Sequence, residues 1–295
     1  MTIVNELQRI NNNIKASYTA LSEKGAELPT KQNSDNLAST IANLEMGGGS
    51  GNDETLKSIV EATITDIVLP DNIEKIAEGF FRNGTTGYPF RNKNITSITA
   101  NGVKEVGSYI LSGHMDSLTE INLPNLEVIA TGGLSTGGTA SSFTCNVSKL
   151  KLGKLKNVGK EGFNGLFNPA TGINQDVEYS FDNCVIGDNA FKYFNYPSFD
   201  GTGIKSIGAQ IFSYCGKNIK KVWLPKTIET IATSDTTNGR MFRFDSNPST
   251  PVKIFTDVPD ENSIPSGWSV GWNLPSSYVT TIYGSTYQDF LNAEV

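Results

Sequence analysis

One short apolar pattern recurs along most of the chain and constrains its fold more than any other feature. Its clearest copy is Ile67-Val68-Leu69-Pro70, followed by Ile73-Glu74-Lys75-Ile76-Ala77 and then Phe80. The pattern returns at irregular intervals of roughly 18 to 32 residues, which is the range of solenoid proteins. One short strand cannot bury its apolar side alone, whereas strands stacked in successive coils share a continuous core. The sequence therefore predicts a solenoid of short, parallel strands.

The later copies keep this pattern with variations. They begin at the following residues: Ile95, Leu118, Leu150, Tyr179, Ile204 and Ile219. A Pro closes several of the strands because it cannot donate to a strand ladder, and Gly permits a tight turn after the second apolar pair. The Gly/Ser/Thr/Asn-rich segments 131–144 and 164–177 are interpreted as insertions that decorate the coils. A parallel β-helix is the competing fold, although its coils would be more regular and richer in Gly and Asp.

The first 46 residues follow a helical pattern instead. Apolar residues spaced by four and three form a candidate oligomerisation seam: Ile3, Leu7, Ile10, Ile14 and Leu21. This is coiled-coil spacing, and Ile at several core positions favours three or more chains over two. Asn11-Asn12-Asn13 lowers helix propensity, so the helix needs a partner. Two interpretations stay open: a seam between identical chains, with a trimer favoured, or packing on a second helix of the same chain, residues 33–44.

The segment Gly47-Gly48-Gly49-Ser50-Gly51-Asn52 is the clearest domain boundary, because such a run has no side chains to bury and acts as a tether. We predict a helical anchor over 1–46, a linker over 47–52 and a repeat domain over 53–295. The repeat domain begins with a short helix and ends in a cap from about residue 256. The expected fold class is an α+β repeat solenoid with an N-terminal α-helical module.

Charge and hydropathy exclude several classes of function. The net charge is −6 and no basic face is evident, which argues against a nucleic-acid partner. The lysines between Lys149 and Lys160 alternate with leucines, so they are interpreted as the solvated face of a strand. No run of 18 apolar residues exists, so no membrane insertion is expected. The first residues lack the features of a signal peptide, which predicts synthesis in the cytoplasm without export.

No metal or cofactor is expected. The cysteines Cys145, Cys184 and Cys215 stand far apart, and His114 is the only histidine. A tetrahedral zinc site needs about four ligands with close pairs among them. The cysteines are interpreted as buried, reduced thiols, with a Cys184–Cys215 disulfide as the alternative.

No catalytic constellation is found, so the chain is predicted not to be an enzyme. His114 is interpreted as a loop residue rather than a general base. The carboxylates Asp257, Asp260 and Glu261 could cleave glycans in a depolymerase, but solvated turns are the favoured interpretation.

Binding is the function that the loops support. Seven aromatic residues in loop-like contexts are candidates for stacking on a receptor: Tyr88, Phe90, Tyr193, Tyr196, Phe199, Trp268 and Trp272. For each of them the alternative is packing beneath its own loop.

The motif Ile-x-Leu-Pro, Ile-Glu-x-Ile-Ala and Phe resembles the BspA-type leucine-rich repeat, over residues 63–283. The segment from Ile14 to Leu37 resembles a leader of tail and fibre proteins from phages of Gram-positive, often gut, bacteria. Together the resemblances imply a virion structural protein (a tail, fibre or baseplate appendage) that binds other virion proteins and a host cell-surface glycan or protein. An architectural virion component, a bacterial cell-surface adhesin and a glycan hydrolase are the alternatives. The lack of an export signal favours the virion.

We expect the full chain to be a trimer and a chain beginning at Asp53 to be a monomer, because the seam lies before the linker. Light scattering measures both masses. Two monomers would contradict the seam, and the N-terminal helices would then pack on their own chain or on a different partner.

Overall fold

The computed structural model describes residues 65–81, 95–111, 117–136, 145–215, 218–233, 239–244 and 248–294, with residues 12, 14–19, 30 and 236. The chain divides into two units, Met1–Thr63 and Ile64–Val295. In the first unit, residues 12 and 14–19 are helical and Ile14 is half-buried. These few residues do not establish a helical module. The seam positions Ile3, Leu7, Ile10 and Leu21 lie outside the described residues, as do the linker and the helices expected at 33–44 and 53–62.

The second unit is a solenoid of short strands. In chain order the strands are β1 (Asp66–Val68), β2 (Lys75–Ile76), β3 (Ser97–Thr99), β4 (Glu105–Val106), β5 (Glu120–Leu123), β6 (Val128–Ile129), β7 (Lys149–Val158), β8 (Asp176–Ile186), β9 (Ser198–Asp200), β10 (Ile204–Ile207), β11 (Phe212–Cys215), β12 (Lys221–Trp223), β13 (Thr230–Ile231), β14 (Phe242–Phe244), β15 (Val252–Phe255) and β16 (Val279–Ile282). A 3-10 helix, Glu261–Ser263, and one α-helix, α1 (Tyr287–Asn292), complete the elements.

Each coil passes three sides of the solenoid in turn. The first side carries β1-β3-β5-β7-β8 and then β9-β12-β15-β16, and the second side carries β2-β4-β6-β7-β8-β10-β13. The long strands β7 and β8 run through both of these sides. The third side consists of stacked turns and the pair β11-β14. The pairings of these strands are parallel, which confirms the predicted repeat solenoid.

Apolar side chains from successive coils meet in register inside the solenoid. On the first side, Ile67 pairs with Ile98, Ile98 with Ile121, and Ile121 with Leu150. The second side forms the longer interior column: Ile76, Val106, Ile129, Val158, Ile186, Ile207 and Ile231. All these side chains are at most 2% exposed. Because a strand turns only alternate side chains toward the interior, the core exists only when coils stack.

In six of the described coils, the third side begins at a left-handed corner. The corner residues have φ between 54° and 65°: Gly79, Tyr109, Gly132, Glu161, Asn189 and Gln210. Phenylalanines pack inside these turns, as the sequence predicted; the Phe163 and Phe191 ring centroids are 5.1 Å apart. The segments 131–136 and 164–167, interpreted as decorations, instead form third-side turns, and Leu134, Leu166 and Phe167 are buried in them.

Small residues follow the second-side strands because the coils approach most closely there. The column consists of Ala77, Gly107, Ala130, Gly159, Gly187, Gly208 and Ala232. The Gly187 amide donates to the Val158 carbonyl at 2.7 Å, and a Cβ on Gly187 would lie 2.6 Å from the Lys160 nitrogen. A larger residue at such a glycine would therefore push two coils apart.

Helix α1 folds back onto the outer face of the first side. Phe290 contacts Trp223 and Phe255, with ring centroids 6.2 and 6.0 Å apart. Lys221, only 8% exposed, donates from Nζ to the carbonyls of Phe290, Leu291 and Ala293 at 2.9, 3.2 and 2.7 Å. An ammonium group at this end satisfies carbonyls that have no partner within the helix. In the described part of the chain, no helix is long and apolar enough to cross a bilayer.

Tyr287 fixes the first turn of α1 to the solenoid. Its hydroxyl donates to Asp200 Oδ2 at 2.6 Å. This hydrogen bond, with burial and the Asp200 charge, raises the pKa of Tyr287 to about 12. At the same end, Thr286 and Asp289 form a capping box.

We expect Gly187→Ala to lower the free energy of unfolding by about 3 kcal/mol, because the new methyl group meets backbone that cannot move away. Gly172→Ala is the control: its φ is +86° and no atom lies within 4 Å of its Cβ position, so only the left-handed backbone costs about 1 kcal/mol. Urea unfolding measures both values. Equal losses would show that coil spacing does not require glycine here.

Tyr287 should make stability depend on pH. Because its folded pKa lies above the ordinary value of 10, the neutral phenol stabilises the fold fully below about pH 10. This contribution is lost as the pH rises through about 12. We expect Tyr287→Phe to show a smaller fall in Tm than the unchanged protein between about pH 9 and about pH 11.5. Thermal unfolding at both pH values measures the difference, and identical falls would contradict the assignment.

Candidate functional site

The outward side chains of β1, β3, β5, β7 and β8 form a surface that we call the polar face. In register, its two columns are Asp66, Ser97, Glu120, Lys149 and Asp176, and Val68, Thr99, Asn122, Lys151 and Glu178. The coils place these side chains at the regular spacing of a sheet, about 4.8 Å. The polar face is therefore an extended array of mixed side chains rather than a pocket.

Neighbouring coils neutralise each other's charges on the polar face. Lys149 Nζ lies 3.5 Å from Glu120 Oε2, and Lys151 Nζ lies 2.9 Å from Glu178 Oε2. Hydrogen bonds from the hydroxyls of Thr96 and then Ser97 hold the pKa of Asp66 below its usual value. β7 alternates exposed lysines with buried leucines, which confirms the sequence interpretation of this stretch.

A shallow groove of about 180 Å³ crosses the middle of the polar face. It is lined by side chains from β5, β7 and β8, among them Glu120, Asn122, Lys151 and Glu178. Within the described residues, Asn122 Oδ1 is buried and accepts no hydrogen bond. Such an acceptor costs about 1–3 kcal/mol relative to one with a partner.

The second side carries a similar charge ladder. The Glu105, Glu74 and Glu127 carboxylates lie 2.6, 2.8 and 2.9 Å from the ammonium groups of Lys75, Lys104 and Lys156 respectively. The hydrogen bond between Lys104 and Glu74, followed by the attraction between their charges, raises the pKa of Lys104 and lowers the pKa of Glu74. These pairs are exposed and contribute little to stability.

A larger and more open cleft of about 420 Å³ lies at the carboxyl-terminal end of the solenoid, and we call it the terminal cleft. Its side chains are apolar (Ile264, Val270 and Leu274), aromatic (Trp272 and Tyr283) and polar (Glu261, Asn262 and Asn273). They come from the last coil and from the residue after β16. Beyond Tyr283 the chain continues into α1, and no second-side strand follows in the described residues.

Two aromatic residues give the terminal cleft its shape. Trp272 packs edge to face on Trp268 at 4.9 Å, and Trp268 Nε1 donates to the Ile228 carbonyl at 2.7 Å. Tyr283 is half-buried, and its ring centroid lies 6.5 Å from that of Trp272. Burial, followed by the charge of Glu261, raises the pKa of Tyr283, so its hydroxyl stays protonated at neutral pH. The cleft thus has rigid aromatic walls and a neutral phenol.

Most of the aromatic candidates from the sequence are not surface residues. Tyr193, Phe199, Trp268 and Trp272 are between 1 and 6% exposed. Phe199 lies in β9, Tyr193 stacks on Tyr214, and the two tryptophans pack on each other. Of these four, only Trp272 lines the terminal cleft. The last candidate in the described part of the chain, Tyr196, is half-buried.

Tyr196 belongs to a polar network inside the coils. Its hydroxyl donates to Gln175 Oε1 at 2.6 Å, and Gln175 Nε2 donates to the Val147 carbonyl at 2.6 Å. Burial raises the pKa of Tyr196. Tyr88 and Phe90, the remaining candidates, lie outside the described residues.

The acidic candidates for catalysis serve mainly as caps. Asp257 Oδ1 accepts from the Lys226 amide at 2.6 Å, and Asp260 Oδ1 accepts from the Asn262 amide at 2.9 Å at the start of the 3-10 helix. Glu261, in contrast, lines the terminal cleft. His114 lies outside the described residues.

All three cysteines are free and buried, so the thiol interpretation is confirmed and the Cys184–Cys215 disulfide is not formed. Burial raises the pKa of Cys145, and it raises the pKa of Cys184 to about 12. These thiols are therefore poor nucleophiles and poor ligands at neutral pH. Across the described ranges, no group of three or more His, Cys, Asp and Glu side chains is placed to hold a metal ion.

Sequence reasoning singled out Trp272 and Glu261 separately, but it missed the cleft that they line together. It recognised the cap from about residue 256, but Tyr283, Asn262 and Asn273 were not singled out. The cleft depends on where the last coil ends, and no periodic signal marks that point. The available signal was the Tyr directly after the last apolar strand, Val279–Ile282.

Comparison with known protein families agrees with the coil geometry. The family described as "BspA type Leucine rich repeat region" matches in six copies, over residues 57–184 and 184–238. Among curated proteins, no match to the chain is found. The family covers well over half of the chain, and its repeats coincide with the stacked coils. The chain therefore belongs to the BspA-type leucine-rich-repeat family.

Proposed function

We propose that this protein is a non-enzymatic bacteriophage appendage component whose repeat domain binds the host cell surface through the polar face. The observation that carries the proposal is that α1 covers the first side at β12 and β15, whereas the outward side chains of β1, β3, β5 and β7 remain half-buried or exposed. A rigid, extended surface of this kind is what repeat proteins use for recognition.

The chemistry of the polar face supports binding of a polar surface. Its two lysines, Lys149 and Lys151, pair with Glu120 and Glu178 of neighbouring coils. Asp66 and Asp176 leave the polar face with a small negative net charge, and the face presents donors as well as acceptors. Many weak polar contacts in register suit a repetitive partner, such as a cell-wall polysaccharide or a surface protein.

The reactive groups in the described residues support binding rather than catalysis. The three thiols are buried, and burial raises the pKa of Cys145 and Cys184. Asp257 and Asp260 accept hydrogen bonds from backbone amides and so act as structural caps. A glycan hydrolase would instead need two carboxylates facing one substrate.

The virion setting rests on the resemblance of the N-terminal leader to phage tail and fibre proteins. In this proposal the helices over 1–46 join three copies and attach them to other virion proteins, and the linker over 47–52 lets each repeat domain reach the cell. An architectural virion component and a bacterial surface adhesin are the alternative functions.

We expect fluorescently labelled full chain to bind cells of a panel of Gram-positive gut strains. Lys149→Glu with Lys151→Glu should reduce binding about tenfold, because the change removes two ammonium donors and places like charges beside Glu120 and Glu178, which repel an acidic partner. Flow cytometry measures the bound fraction.

The matched control is Lys104→Glu with Lys156→Glu, which disrupts two equivalent ion pairs on the second side. It should leave binding unchanged. If the protein bound none of the strains, the proposed function would be wrong. An equal loss of binding in both double variants would show that the polar face is not the binding surface. Cell binding alone does not distinguish a virion appendage from a bacterial adhesin. Immunogold labelling of purified virions therefore tests whether the protein is a component of the virion.

A further inference from the structure

The structure also holds a site that is separate from the polar face. We propose that the terminal cleft binds one unit of a neutral saccharide, with Tyr283 as the stacking surface and the side chains of Asn262, Asn273 and Glu261 as hydrogen-bonding groups. This inference goes beyond the proposed function, because it concerns a different surface and does not require a virion.

The size and walls of the cleft fit a small ligand. Its volume of about 420 Å³ lies within the range of about 300–1,000 Å³ usual for small-molecule sites. Trp272 packs against Trp268, and Tyr283 is half-buried. Such rings are held in place before a ligand arrives, so binding orders few side chains.

The polar groups around the cleft suit hydroxyl groups. Asn262 and Glu261 are exposed at the rim, and neither side chain forms a hydrogen bond or ion pair in the part of the chain that the structure describes. Asn273 makes one long contact, 3.5 Å from Nδ2 to Thr281 Oγ1. Amides donate and accept, whereas the carboxylate only accepts. A saccharide hydroxyl can donate to one of these groups and accept from another.

Charge and apolar surface narrow the ligand class further. Glu261 is the one charged residue among those lining the cleft, and its negative charge disfavours phosphate, sulfate and uronic-acid groups. Ile264, Val270 and Leu274 add apolar surface beside the two aromatic rings. A pyranose ring has an apolar C–H face and a polar edge, and the cleft offers partners for both. An apolar peptide side chain would leave the two amides and the carboxylate without hydrogen-bonding partners.

The chain carries a matched pair of tyrosines for the test. Tyr278 and Tyr283 flank β16, and both are half-buried, but only Tyr283 lines the cleft. The probes are neutral trisaccharides of glucose, mannose, galactose and N-acetylglucosamine, with a trigalacturonate as the anionic comparison. Tryptophan fluorescence of the full chain reports binding, since Trp272 lies in the wall, and calorimetry gives Kd.

We expect at least one neutral trisaccharide to bind with a Kd on the order of 1 mM, and trigalacturonate to bind at least about tenfold more weakly. Tyr283→Ala should weaken binding about tenfold, Tyr283→Phe should retain most of it, and Tyr278→Ala should leave Kd unchanged. Asn262→Ala, at an exposed residue, should weaken binding about threefold even if Tyr283→Ala does not fold.

The proposal would be overturned if no neutral probe bound at concentrations up to about 20 mM. It would also be overturned if trigalacturonate bound equally well, or if the Tyr278 and Tyr283 variants changed Kd equally. Binding of an apolar tripeptide in preference to the saccharides would assign the cleft to a peptide instead. These outcomes are independent of the cell-binding assay, in which the changes are on the polar face.

Discussion

Backbone hydrogen bonds between successive coils hold the repeat domain together, and the rest of the structure depends on the distance that they impose. On the second side, the Gly107, Gly159 and Gly187 amides donate to the preceding coil at 2.7–2.8 Å. This spacing is reached only where the residue after the strand is small, because a side chain would meet backbone there. The same spacing brings the interior Ile and Val side chains into contact and lines up the charged residues outside.

Stacking also explains why the two surfaces differ. The polar face repeats with every coil, so its lysines and carboxylates meet opposite charges from the neighbouring coils, as Lys151 meets Glu178. The terminal cleft lies where stacking stops: after β16 the chain turns away and α1 covers the first side. The buried Trp272 and the half-buried Tyr283 line the cleft in this last part of the solenoid. One surface arises from the repeat and the other from its interruption.

Corner geometry shows how a variable sequence maintains a constant fold. The corner at the start of the third side is left-handed in six described coils, yet Gly occupies it only at Gly79 and Gly132. Tyr109, Glu161, Asn189 and Gln210 adopt the same φ at a local cost. The hydrogen bonds on both sides of the corner, such as Glu161 to the Asp188 carbonyl at 2.9 Å, offset this cost. A motif that required Gly at the corner would therefore miss most coils.

The sequence by itself determined the solenoid, the repeat family, the alternation of lysine and leucine in β7 and the burial of the cysteines. These are local or periodic properties, and a strand that buries alternate residues records them in its own spacing. Only the tertiary structure decided which aromatic side chains face solvent. Tyr193 and Trp268 lie in loop-like sequence, but the neighbouring coil covers them. The terminal cleft was equally invisible, because its walls join residues 261–274 to Tyr283 across β16. Burial by a neighbouring coil depends on contacts distant in the chain, and no local pattern encodes them.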